Sequence, residues 1–224
     1  MRKVSVKMSK ALNAMLQSPL HAFGLPARVA TPSSDNRVLI SELPHLGYLV
    51  LRGKADDAAF MQAAAGVLGQ ALPSQPMTVL PTPVGVVLWL SPDEWLLVCQ
   101  RSTRDALRAS LATALQDLFA QVVDNSGGFT TLRLAGPEHM MLLRQLSPYD
   151  FERLAVGRCA STVASKTGFT VARTDEAGVL IVFRRSFADY LWRLLERTAR
   201  PYRPCITRPD QCADPLFTPL FETL

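Results

Sequence analysis

Apolar residues recur in two rhythms along the chain, period two and period 3.6, and the same succession of rhythms occurs twice. Leu49-Val50-Leu51-Arg52-Gly53 predicts a strand ending in glycine. Asp56 follows as a helix N-cap, and Phe60, Met61, Ala64, Leu68 and Leu72 recur at helical spacing. Thr131-Leu132-Arg133-Leu134-Ala135-Gly136 repeats the strand, 83 residues on at its glycine. Pro137 then suits a first helical turn, Met140, Leu143 and Leu146 continue the helix, and Ser147-Pro148 stops it.

The second halves correspond as well. Val86–Leu90 and Trp95–Cys99, joined by Ser91-Pro92-Asp93-Glu94, predict a hairpin. Phe169–Ala172 and Val179–Phe183, joined by Thr174-Asp175-Glu176-Ala177-Gly178, predict its twin. Arg-Ser closes each hairpin, at Ser102 and at Ser186, 84 residues apart. Each is followed by a helix: Leu107, Leu111, Ala114, Leu115 and Leu118 in the first unit; Phe187, Tyr190, Leu191, Leu194, Leu195 and Thr198 in the second.

This pattern predicts an α+β fold of duplicated strand-helix-hairpin-helix units, with antiparallel sheets carrying helices on one face and units able to share or exchange strands. Further strands are predicted at Val38–Ile40, Gln121–Asp124 and Cys159–Ser165, and the four prolines between Pro73 and Pro83 predict an extended link. The division is a basic N-terminal extension over 1–34, a first unit over 35–120, a second over 121–200, and a Pro-rich tail over 201–224 outside the duplicated core.

Composition narrows the class. With 48% hydrophobic and 19% charged residues the chain reads as globular rather than disordered. Apolar runs stay far below the ~20 residues that span a bilayer, and no apolar stretch follows the basic start, so a cytoplasmic protein without membrane association is expected. The four cysteines form no CxxC pair and the three histidines are scattered, so no metal site is expected; thiols are preferred to a tail disulfide between Cys205 and Cys212.

Arg184 to Arg208 holds seven arginines against two acids, which concentrates the chain's net charge of +5 near its C-terminal end. Such a block can meet nucleic acid or an acidic protein surface. No RRM-type aromatic motif accompanies it, and the nucleic-acid reading is set aside.

At ~100° per residue Trp192 lies roughly 130° from the centre of the last helix's apolar stripe. Its twin position is Arg108, a residue suited to a solvated face. With Arg193, Arg197 and Arg200 it forms the candidate partner interface, because Trp and Arg concentrate at interface hot spots. A terminal extension folding over Trp192 within the same chain is the alternative.

Catalytic chemistry is absent from the motifs. There is no GxGxxG, P-loop, GxSxG or HExxH, and no histidine stands beside an acid or cysteine in a recognisable arrangement. His139 reads as a capping or core residue, and Asp93-Glu94 and Asp175-Glu176 as turn acids.

Five segments carry a resemblance: Ser18-Pro19-Leu20, SPDEWLLV (Ser91–Val98), VDNSGGFTTLRLAGP (Val123–Pro137), GRCASTVASKTGF (Gly157–Phe169) and RRSFADYLWRLLE (Arg184–Glu196). In order and spacing they resemble the gamma subunit family of heterotetrameric sarcosine oxidases, from about Ser18 to Pro201. The resemblance implies a fold similar to the folate-binding aminomethyltransferase domain and a non-catalytic subunit with alpha, beta and delta partners. In such a complex sarcosine is oxidatively demethylated to glycine and the one-carbon unit passes to tetrahydrofolate. FAD, FMN, NAD, folate and zinc sit on the other subunits, and no catalytic residue carries over to this chain.

Two alternatives stand beside this reading. One is the gamma subunit of a related N-methyl amino acid dehydrogenase. The other is a stand-alone folate-binding or one-carbon-transfer protein, in which a carboxylate would hold the pterin edge. The candidate folate-pocket residues for that case are Asp124 for the ring and Arg158 for the tail.

Overall fold

The computed structural model describes residues 17–211 and 213–221. Eleven strands among them form two sheets. In chain order these are β1 (Leu39–Leu43), β2 (Gly47–Arg52), β3 (Val79–Thr82), β4 (Gly85–Ser91), β5 (Glu94–Cys99), β6 (Gln121–Asp124), β7 (Phe129–Ala135), β8 (Arg158–Ala164), β9 (Thr167–Arg173), β10 (Gly178–Arg184) and β11 (Cys205–Thr207). The helices are α1 (Ala58–Leu68), α2 (Arg104–Ala114), α3 (His139–Leu146) and α4 (Ala188–Ala199).

Period-two alternation decides the layering. In β5, Trp95, Leu97 and Cys99 pack with Phe60, Leu68, Leu107 and Leu111 of α1 and α2. Leu96 and Val98 of the same strand point the other way, into a core shared with Leu180 and Val182 of β10. Val179, Ile181 and Phe183 of β10 in turn meet Leu142, Leu143, Leu191 and Leu195 of α3 and α4. The result is four layers, helices outside and two sheets face to face, so central strands such as β5 and β10 are apolar on both sides.

The five-stranded sheet runs β3-β4-β5-β2-β6 and the six-stranded sheet β11-β1-β7-β10-β9-β8. Each therefore takes three strands of the hairpin region, the first long strand of its own repeat, and the leading strand of the other; the six-stranded sheet adds β11. Strand β6 of the second unit pairs with β2 of the first, and β1 of the first pairs with β7 of the second. The registers repeat too: Val87 faces Leu97 as Val171 faces Ile181. The duplication is real, and the units exchange strands.

The repeated glycines serve contacts as well as turns. A Cβ on Gly53 would stand 2.5 Å from the Phe60 ring, so glycine lets α1 lie close. Gly136 has φ +94°, and a Cβ there would come within 2.7 Å of the Arg37 carbonyl oxygen.

Four expectations are corrected. The α1 N-cap is Asp57, not Asp56: its Oδ1 accepts hydrogen bonds from the backbone N–H of Ala59 at 2.9 Å and of Phe60 at 3.2 Å. Asp57 is the residue immediately before the first helical one, where a cap must stand to reach those donors. The Pro73–Pro83 link contains β3, with Pro81 on an edge strand where no ladder donor is missed.

The tail beyond residue 200 is not outside the core. β11 lies parallel to β1, and Phe217 is buried between the sheets. Finally, α4 buries Ala188, Leu191, Trp192, Leu195 and Ala199, while Phe187 and Tyr190 are exposed. Counting those two aromatics as core rotated the inferred stripe away from Trp192.

Candidate functional site

Trp192 is fully buried, and the N-terminal segment is what buries it. The Phe23 ring packs against it with centroids 5.8 Å apart, and the Arg28 guanidinium stands 5.6 Å from its centroid. Arg28 is fixed there by Glu196, at 2.5 Å. Leu20 and Leu25 join the same core. The exposed contact patch centred on Trp192 is thus corrected in favour of coverage by the chain's own extension. Of its companions, Arg193 pairs with Asp189 at 2.9 Å and lies 5.3 Å over the Phe23 ring. Arg193, Arg197 and Arg200 remain on the surface.

Asp124 and Arg158 are not brought together. Asp124 is exposed at the end of β6, one edge of the five-stranded sheet. Its carboxylate accepts from the Ser126 N–H at 2.8 Å and lies 3.4 Å from Arg104. Arg158 opens β8 and forms a bridge with Thr78, beside β3 at the opposite edge. Between β3 and β6 lie four inter-strand spacings, or ~19 Å. These residues do not make one folate pocket.

The most developed polar site is one the sequence reading missed. Leu132 and Leu134 of β7 face the helices, so alternation turns Thr131 and Arg133 toward the space between the sheets. Arg133 is 1% exposed. Its Nη1 reaches Asp214 of the C-terminal segment at 2.6 Å, and its Nη2 reaches both oxygens of Asp175 at 2.7 and 2.8 Å.

Thr174 donates to Asp214, whose other oxygen accepts from the Leu216 and Phe217 N–H groups. Beside this cluster the Ser41 and Thr207 hydroxyls meet at 2.6 Å, and Tyr48 meets Thr131 at 2.7 Å. A guanidinium flanked by two carboxylates is neutralised in place, so this is a clamp joining sheet and tail. The available signal was an arginine on the inward face of an apolar strand, which demands buried acids.

Two titratable groups stand apart. Burial pushes the Glu42 carboxyl up to about 6, against a hydrogen bond from Ser18 that opposes the shift. Glu42 lines a cavity of about 680 Å³ with Leu25, Ile206, Arg208 and Phe221, where the two terminal segments meet. Burial lowers His139 below the ordinary imidazole range, and its Nδ1 lies 2.6 Å from the Gly136 carbonyl, a local structural bond as expected.

Cys159 and Cys205 are buried thiols, the former pushed up to about 12 by burial. Cys212, the other half of the considered tail disulfide, lies outside the described residues. Among the described residues no group of three or more His, Cys, Asp or Glu is placed to hold a metal ion, and no helix is long and apolar enough to cross a membrane.

With this architecture in hand, the class is defined by solved structures. The chain superposes on the glycine cleavage system aminomethyltransferase T from Bartonella henselae with a TM-score of 0.61 at 14% identity, over 86% of this chain and 59% of that one. This establishes the fold, an aminomethyltransferase-type α+β architecture. On a chain of the heterotetrameric sarcosine oxidase from Corynebacterium sp. U-96, in complex with pyrrole 2-carboxylate, the TM-score is 0.72 at 28% identity, over 84% of this chain and 96% of that one.

The model of the sarcosine oxidase gamma subunit family matches residues 52–200. Sarcosine oxidase subunit gamma from Corynebacterium sp. (strain P-1) is 30% identical over 169 residues, 74% of this chain and 82% of that protein. The subunit from an Arthrobacter species is 30% identical over 172 residues, with the same shares covered. The chain belongs to the sarcosine oxidase gamma subunit family.

Proposed function

We propose that this chain is the small, non-catalytic subunit of a heterotetrameric oxidase that demethylates sarcosine and passes the one-carbon unit to tetrahydrofolate. Its partners in this reading are the alpha, beta and delta subunits of that complex, in the cytoplasm. The observation that carries the proposal is the family match over residues 52–200, with the superposition of 84% of this chain on a chain of a heterotetrameric sarcosine oxidase behind it.

FAD, FMN, NAD, folate and zinc belong on the other subunits. This chain's own residues do not fit folate in the manner considered from the sequence. Asp124 is committed to Ser126 and Arg104, and Arg158 stands on the far edge. The structural role is to present a rigid, strand-exchanged surface to the larger chains.

The isolated protein is therefore expected to be colourless, to form no peroxide from sarcosine, and to melt at the same temperature with or without tetrahydrofolate. A ligand of the native state at 100-fold its dissociation constant adds about 2.7 kcal/mol, so binding would be plain in the melt. A tetrahydrofolate shift abolished by Asp124→Asn would establish the stand-alone folate reading instead.

A further inference from the structure

The internal twofold relation leaves one position filled in one sheet and open in the other. Leu132 of β7 faces Glu42 of β1 as Leu49 of β2 faces Asp124 of β6. Strands β1 and β6 are thus equivalent, with Ile40 corresponding to Val122 and Ser41 to Val123. Against the outer edge of β1 lies β11, parallel, with Leu39 opposite Cys205, Ile40 opposite Ile206 and Ser41 opposite Thr207. Among the described residues no strand pairs with the outer edge of β6.

The backbone at that edge is arranged to receive one. Asn125 donates its N–H to the Tyr48 carbonyl on β2. Antiparallel alternation then turns the peptide groups of Val123 toward β2 and those of Val122 and Asp124 outward. On the twin strand the corresponding outward groups are the ones β11 uses, for Cys205 donates to the Val38 carbonyl.

The side chains tell the same story. Val123 is 37% exposed beside Val50, and Phe119, two residues before β6, is 90% exposed. Exposed edges are ordinarily blunted by shortness, by charge (lysine above all), by proline or by a bulge. Gln121-Val122-Val123-Asp124 is short and ends in an acid, but it has no lysine or proline, and its pairing with β2 shows no register shift.

We propose that the outer edge of β6 is a docking site for an extended segment of a partner subunit. The segment adds a strand parallel to β6, as β11 is added to β1, with apolar side chains beside Val122 and Val123. The partner is one of the larger chains of the proposed complex, so the inference rests on the subunit reading. The chain's own tail already occupies the twin edge. A second copy meeting β6 across a twofold axis would pair antiparallel, opposite to the β11 template.

The test is hydrogen exchange on the free chain and on the assembled complex, with two variants. Val122→Pro deletes an outward N–H while sparing the ladder to β2, and Phe119→Ser/Val123→Lys alters exposed side chains. On assembly the amides of Val122 and Asp124 should slow at least tenfold. Both variants should melt within a few degrees of the parent yet weaken assembly at least tenfold. Assembly of the parent with unchanged exchange at 122 and 124, or undiminished assembly of both variants, overturns the docking strand alone. A homodimer of the isolated chain abolished by Val122→Pro overturns it in favour of a second copy. Failure of the parent chain to assemble at all removes the subunit reading, and this proposal with it.

Discussion

Arg133 is held by residues 42 and 81 positions away, and at such separations sequence spacing carries no information. Period two in Thr131–Ala135 does place it on an inward face, so the need for a buried acid was legible; the identity of the acids was not. Removing the Asp214 carboxylate leaves Arg133 with Asp175 alone and orphans the Thr174 hydroxyl and the Leu216 and Phe217 N–H groups, a loss of about 3–5 kcal/mol in all. Asp214→Ala should lower stability by about that amount, measured by the urea midpoint, and should expose the 205–221 segment to proteolysis. A loss below ~1 kcal/mol would mean that Asp175 alone suffices for Arg133.

Glu42 makes the opposite kind of prediction. Its folded pKa, about 6, lies above the ordinary 4.5, so the native state binds this proton more tightly than the unfolded chain does. Its contribution to stability is thus most favourable below pH ~4.5 and is lost as pH rises through about 6, by at most about 2 kcal/mol. Glu42→Gln keeps an acceptor for Ser18 without the charge. It should stabilise the protein at pH 7.5 and remove this part of the pH dependence; equal urea midpoints of parent and variant at pH 7.5 and pH 4.5 would contradict the burial account.

At the scale of elements, local signals did well where contacts are local. Both hairpins and all four helices follow from periodicity and turn residues, because strand and helix patterning is decided within a few residues. What failed was phase and partnership. On α4 the exposed Phe187 and Tyr190 were weighed as core, which left Trp192 looking solvent-facing. The residues that cover it, Phe23 and Arg28, come from the other end of the chain. Likewise β11 is too short to announce itself among prolines, and exists because β1 offers it an edge. Trp192→Ala should therefore cost about 3–5 kcal/mol, as for other buried aromatics, seen as a lowered melting temperature of the isolated chain. Parent-like stability with lost assembly would return Trp192 to the interface.

At the scale of the whole molecule, the duplication was legible because landmark glycines, turn acids and Arg-Ser pairs recur in one frame. The exchange of β1 and β6 between units was legible only as a possibility, since either pairing satisfies the same strand pattern. The exchange matters for function: it ties the repeats into one body, with the two sheets sharing a core that neither unit could close alone. The Asp124–Arg158 pocket failed at this scale too, because residues 34 positions apart fall on opposite edges once the sheets are stacked.

The central claim is that the chain works only as part of a larger oxidase, and co-expression with and without the larger subunits tests it most directly. Native mass and sarcosine-dependent peroxide formation would be measured on the purified products. The account predicts that the chain co-purifies in stoichiometric amount with a flavin-bearing complex that forms peroxide, and that alone it forms none. Peroxide production by the isolated chain, or an active complex of full mass from which the chain is absent, would contradict it.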